Sequence, residues 1–197
     1  QCDSVMKEIL LIGDGGHCKS VIDVLEQEGQ FNIAGIIGTD KSINSNVLGY
    51  KVIGVDSDID RFSKIYKYAI VAVGQVKSPL TRIKLFSLLI KVGFVLPKII
   101  SPRSYVSKHA VIGSGSIIMH DAVVNANAVV GDNCIINSKA LIEHDSIIQS
   151  HCHISTNAII NGNVVVGEGS FIGSSAVTNN SLVIKKNSFI KAGALVQ

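Results

Sequence analysis

The chain is predicted to be α/β + β in class: a small parallel α/β domain followed by a β-helix of hexapeptide repeats. Three observations carry this. From Val106 to Val196 every sixth residue is aliphatic, through Ile112, Ile118, Val124, Val130, Ile136 and onward, at fifteen of sixteen positions, with Thr178 the exception. Two residues before most of them stands a small one (Ala110, Ser116, Ala122, Ala128, Cys134, Ala140), and Gly, Asn, Asp and Ser gather after it. The first hundred residues instead alternate short apolar runs with helical patterns. A period of six matches neither the 3.6 of a helix nor the alternation of a lone strand. It matches short strands separated by corners and stacked into a prism, in which Gly and Asn tolerate the left-handed backbone that corners need.

In chain order, Lys7–Ile12 reads as a buried strand, followed at once by Gly13-Asp14-Gly15-Gly16-His17. Val21, Ile22, Val24 and Leu25 mark the apolar face of a helix over 18–28 that ends at Gly29. Strands are expected at 33–37 and 70–73, and a helix at 79–91 with Pro79 in its first turn. This alternation predicts a parallel sheet with right-handed crossovers. Ser101-Pro102 marks the joint, so the expected domains are 1–100 and 101–197. About five coils at strand spacing make a prism roughly 24 Å tall.

The net charge of +3 is small and evenly spread, which argues against a nucleic-acid partner. No apolar run is long enough to span a membrane, so none is expected as a partner. Gln1 to Val5, ahead of Met6, read as an addition before a natural start. Cys2, Cys18, Cys134 and Cys152 lack metal-type spacing, and no metal is expected. Cys134 and Cys152 lie eighteen apart and stack in one column, where they read as reduced core thiols of a cytoplasmic protein.

Gly13-Asp14-Gly15-Gly16 between a strand and a helix is a phosphate-cradle arrangement, in which backbone N–H groups and the helix dipole meet an anion. Cys18 replaces the third glycine of a dinucleotide fingerprint. A nucleotide-sugar site is preferred over an NAD site or a plain tight turn, and His17 is placed to touch the ligand or simply to sit on the surface.

Glu143-His144-Asp145 falls at a corner, and eighteen residues on either side of His144 stand Ala126 and Gly162. Small neighbours leave room for a substrate there. An imidazole near neutral pKa accepts a proton, an adjoining carboxylate orients it, and Gly162 could offer an N–H to an oxyanion. The bland alternative is a solvated corner. His153 reads as a member of an apolar column with Ile135, Ile147 and Phe171, either a satisfied core histidine or a residue that meets His144 across a subunit boundary. Thr178 is expected to mark a looser coil.

These residues also carry a family likeness. Ile12-Gly13-Asp14-Gly15-Gly16-His17, Val71-Ala72-Val73-Gly74, Ile136-Asn137, Leu141-Ile142-Glu143-His144-Asp145, His153-Ile154-Ser155-Thr156 and Gly167 to Ser174 resemble the NeuD/PglD-type sugar acyltransferases over nearly the whole chain. The resemblance implies a Rossmann-like nucleotide-sugar-binding domain over 1–100, a left-handed β-helix acyltransferase domain over 101–197, and a homotrimer with sites between subunits. It implies acetyl-CoA as cosubstrate and transfer to a UDP-4-amino-4,6-dideoxy sugar in bacterial glycan biosynthesis. His144 matches the general base, Asp145 its supporting acid and Asn137 a polar neighbour of the reacting groups. His153, Gly162, Ser174 and Ala192 are assigned to the cofactor, and Gly15, Gly16, His17 and Gly74 to the sugar nucleotide. Direct attack on the thioester needs no acyl-enzyme. Two departures stand out: Gly38-Thr39 replaces a pair of acids, and the chain stops at Gln197, before a tail that relatives often carry. A sialic acid O-acetyltransferase and a non-catalytic nucleotide-sugar-binding scaffold are the alternatives, and a dehydrogenase comes last.

Overall fold

The computed structural model describes residues 6–197; Cys2 and the segment from Gln1 to Val5 lie outside the described residues. Contacts divide the chain into one unit of residues 1–74 and 84–97 and another of 75–83 and 98–197.

In the first unit, five strands form the sheet: β1 (Lys7–Ile12), β2 (Phe31–Gly38), β3 (Asn46–Val47), β4 (Tyr50–Val55) and β5 (Tyr68–Val71), in the order β3-β4-β2-β1-β5. β1, β2, β4 and β5 are parallel, as the alternation predicts, and only the edge strand β3 is antiparallel. The chain runs outward from β1 through β2 to β4 and then returns to β5 on the other side of β1. The order therefore reverses between β1 and β5, where ligands of open α/β sheets bind beyond the carboxyl ends of the strands. Helix α1 (Gly16–Glu28) buries Cys18, Val21, Ile22, Val24 and Leu25, and left-handed Gly29 closes it with its N–H on the Leu25 carbonyl. A short helix α2 (Ile59–Ser63) and the strands β3 and β4 occupy a stretch whose sequence carries little periodicity.

The second unit is a left-handed parallel β-helix of two-residue strands stacked in three sheets of six, five and six strands. Residues eighteen apart pair in register, as in Ile135↔His153↔Phe171. The sixth-position aliphatics and the small residues two before them fill the interior, from Ile118 and Ala122 to Ile172 and Ala176. At successive corners a left-handed residue recurs every six positions, including Asn127, Asn133, Lys139, Asp145, His151, Asn157 and Asn163. Asn and Asp bear that conformation best among non-glycine residues.

The residue between the two inward positions points away from the prism. His153 is nonetheless buried and hydrogen-bonded, under the segment that carries Gln75, whereas the column expected for it is corrected: Ile147 belongs to a different sheet from Ile135 and Phe171. Thr178 does mark a local break in the ladder, although it is fully buried: only Ile159↔Val177 pairs between these two strands, the Asn161 N–H is accepted by Thr178 Oγ1 (2.9 Å), and the Thr178 carbonyl accepts the Asn161 side chain (2.6 Å). The Cys134 and Cys152 thiols are buried and free, each donating 3.2 Å to a main-chain carbonyl in the next coil.

Candidate active site

The β-helix presents two constellations on different corners. The first rests on a left-handed corner residue, Asp145, at φ 61°. Its Oδ2 accepts from His144 Nδ1 at 2.7 Å, and its Oδ1 accepts from Asn127 Nδ2 at 2.7 Å. Asn127 stands eighteen residues earlier, directly below, and clamps the carboxylate in place. That clamp leaves His144 Nε2 as the nitrogen available for proton transfer. The His144 side chain is 61% exposed, and the hydrogen bond and charge of Asp145, with Glu143 adding charge, raise its pKa above the ordinary imidazole value. Asn127 and then His144 hold the Asp145 carboxyl below the usual carboxylate range.

Gly162 lies beneath this ring. A Cβ built there would stand 2.9 Å from both Cε1 and Nε2 of His144, so a side chain at this position would evict the imidazole. The space that the hexad spacing reveals beside His144 is thus filled on that side by the ring itself. Asn180, one further coil on, approaches the same point from beyond.

The second constellation runs along another corner. Asn137 Nδ2 donates to His153 Nε2 at 3.2 Å, and Asn137 Oδ1 accepts the Ser138 N–H at 2.8 Å. His153 Nδ1–H in turn donates to the Gln75 carbonyl at 2.5 Å. Two partners thereby hold the ring in a single tautomer. Burial pushes the His153 pKa down to about 4, with buried Arg82 adding to the fall and the Gln75 carbonyl opposing it, so the ring is neutral. Ser155 and Ser174 share a hydrogen bond of 3.0 Å one coil further along, and exposed Ala192 follows Ser174 in the same column. Asn137, His153 and Ser174 therefore stand along one corner, while His144, Asp145 and Gly162 form the other.

The substrate residues expected in the first unit also converge. Gly13 follows β1 at φ 118°, and α1 begins after Gly15 with no side chain capping it, which leaves its first N–H groups available to an anion. Gly74, at the end of the segment after β5, lies against His17: a Cβ there would be 3.4 Å from the His17 Cβ. Gly15, Gly16, His17 and Gly74 thus gather where the strand order reverses. Gly38 is closely packed: a Cβ would meet Asp14 Oδ2 at 2.5 Å and Ser42 Oγ at 2.6 Å, so both side chains would have to shift. The Thr39 N–H donates to that same carboxylate at 3.2 Å. Burial raises the Asp14 pKa, but hydrogen bonds from Ser42 and Thr39 outweigh it and leave the carboxyl below its usual range. Among the described residues no group of three or more His, Cys, Asp or Glu side chains is gathered to hold a metal, and no helix is long and apolar enough to cross a membrane.

Residues 8–88 match the PglD N-terminal domain family, and residues 109–144 match the bacterial transferase hexapeptide family of six repeats. No curated protein sequence gives a significant match. Among solved structures, the chain is similar to PerB from Caulobacter crescentus in complex with CoA and GDP-perosamine, at 30% identity and TM-score 0.90, covering 98% of this chain and 90% of that one. It is similar to the acetyltransferase domain of PglB from Neisseria gonorrhoeae in complex with acetyl coenzyme A, at 30% identity and TM-score 0.87, covering 98% and 93%. The chain belongs to the NeuD/PglD-type sugar acyltransferases. A further likeness, to WeeI from Acinetobacter baumannii at 22% identity and TM-score 0.74 over 98% of this chain and 97% of that one, extends to the fold.

In this acyltransferase three functional candidates escape the sequence reading. Asn127, which clamps Asp145, is within reach of the hexad register, because it lies one coil below Asp145. Gln75 and Arg82 are not. Arg82 is fully buried and its Nη2 donates to the carbonyl (3.2 Å) and side chain (2.7 Å) of left-handed Asn133, whose amide meets His151 Nδ1 at 3.0 Å. This anchors the segment that carries the Gln75 carbonyl to His153. No local pattern announces that a lysine- and serine-bearing stretch will lie against a β-helix.

Proposed function

We propose that this acyltransferase moves the acetyl group of acetyl-CoA onto the amine of a UDP-4-amino-4,6-dideoxy sugar in bacterial glycan biosynthesis. The observation that carries the mechanism is the Asn127–Asp145–His144 chain over Gly162, which engages Nδ1 of a largely exposed imidazole and leaves Nε2 for proton transfer. His144 Nε2 takes the proton released as the amine nitrogen bonds to the acetyl carbon and the carbon–sulfur bond breaks; the proton then returns to the departing thiolate. Asp145 holds the ring's orientation and favours its charged form, a general-base contribution of about 10²- to 10⁴-fold. The Asn137–His153–Ser174–Ala192 column takes acetyl-CoA, and Gly15, Gly16, His17 and Gly74 take the sugar nucleotide.

A homotrimer completes the site in this reading, with the His144 corner of one subunit facing the Asn137 and His153 corner of the next. An outward column of Val111, Val129, Ile147 and Val183, with Val183 76% exposed, supports such packing. Apolar columns of this kind are buried in assemblies. The UDP-linked acceptor is what the family resemblance of the sequence implies, while the Caulobacter relative was solved with GDP-perosamine. Purified protein with acetyl-CoA should acetylate UDP-linked 4-amino sugars faster than GDP-linked ones or sialic acid hydroxyls. Faster turnover of either competitor would replace the acceptor, and no turnover of any would remove the reading. Light scattering that found only monomer would contradict the shared site.

A further inference from the structure

Beside the second constellation, and sharing Gln75 with it, a cavity of about 300 Å³ opens between residues 75–80 and the coils at 169–171 and 187–189. Three large apolar side chains are left in water around it: Val76 (57% exposed), Leu80 (71%) and Phe189 (51%). Phe189 stacks on Phe171 with centroids 5.2 Å apart and planes 16° apart, and Phe171 meets His153 edge-on at 5.2 Å. The aromatic ladder that begins at His153 therefore ends at the cavity. A terminal ring with one exposed face is a stacking platform.

The same cavity holds an unmet acceptor. Gln75 is only 2% exposed, and its Nε2 is directed at the carbonyls of Gly169 and Ser170, at 3.4 Å each. Turning the amide over would set Oε1 against those two carbonyl oxygens, so Oε1 points away from them, where it has no partner. A buried amide oxygen in that state is costly, and a ligand N–H would recover the loss. Lys77 and the first turn of helix α3 (Leu80–Lys91) stand on the rim, and both attract an anion. An aromatic face, a buried acceptor and a cationic rim together select a planar ring with an edge N–H donor that carries a phosphate.

We propose that this cavity binds the base and adjoining phosphate of a nucleotide, with the base against Phe189, its N–H on Gln75 Oε1 and the phosphate toward Lys77. The inference rests on the reading that both cosubstrates are nucleotides, and it locates one of them here. Calorimetry on the full chain with adenosine 3′,5′-bisphosphate, UDP and GDP distinguishes the nucleotide end of CoA from that of the sugar. Phe189→Ala and Gln75→Met should each weaken one of these ligands about tenfold and leave the others within about twofold, the size expected for one stacked base. Phe189→Tyr should restore the affinity. Phe189 is half exposed, so its loss leaves the coil intact, which circular dichroism checks. Unchanged affinities for all three nucleotides in both variants would overturn the inference, whereas absence of acetyl transfer by the wild type would overturn the functional reading.

Discussion

The two histidine corners of the β-helix are built on the same repeat and end in opposite chemical states. His144 sits just past the inward position, on a corner, exposed and paired with a carboxylate that raises its pKa. His153 sits just before the inward position, on an outer face, covered by the segment bearing Gln75 and driven down to about 4 by burial. The carboxylate favours the charged form of one ring, and burial favours the neutral form of the other. A shift of nine residues along an otherwise uniform scaffold decides which.

The contrast can be broken most forcefully at His144. His144→Ala should lower kcat by about two to four orders of magnitude with the fold intact, measured by thiol release from acetyl-CoA. A near-normal rate would remove the base from the mechanism.

At His153 the readout is stability. Its folded pKa lies below the ordinary value near 6.5, so between those values the unfolded chain binds a proton that the folded chain refuses. Stability should therefore be intact above pH 6.5 and fall as pH drops toward 4, by up to about 3 kcal/mol from this group. His153→Gln should flatten that acid limb in urea titrations, and an unchanged limb would mean the ring titrates freely.

Gly162→Ala tests the seat of the His144 ring. The added methyl would stand 2.9 Å from two ring atoms, so the imidazole must move. A loss of about tenfold in kcat is expected, since displacement of about an ångström is costly to a positioned group. KM for acetyl-CoA should stay near the wild-type value. An undisturbed kcat would show that the ring has another resting place.

The smallest effect is a shift along the pH axis. In the proposed mechanism His144 acts when neutral, so the rate should rise with pH and its midpoint should lie above the ordinary imidazole value because Asp145 stabilises the charged ring. Asp145→Asn should move that midpoint to lower pH, and a midpoint that stays put would assign the raised value to Glu143.

Much of this molecule was legible in advance because the hexad register is strict. It located the inward aliphatics, the small residues beside them and the corner that carries His144. It also contained Asn127, one coil below Asp145, which was passed over in favour of Ala126. The register misleads where it is read without direction: Ile147 belongs to a different column from His153, and the cover that buries His153 comes from outside the prism. The looser N-terminal pattern showed β1, α1, β2, β5 and α3, but not β3, β4 and α2, whose short runs lack a clear period.

By itself, the sequence determined the prism, its corners and the glycine-rich loop, because each follows from local rules that repeat: inward apolar spacing, left-handed corner residues and a strand opening into a helix. Only the tertiary structure decided that Gly162 is the seat of an imidazole, that Gly38 lies against the Asp14 carboxylate, and that residues 75–83 anchor at Asn133 and fix the His153 tautomer. Those contacts join residues from 18 to 78 positions apart. Where the repeat sets the separation, counting recovers the pair. Where a crossing segment sets it, only packing does, because nothing in the local chain encodes which distant surface will cover it.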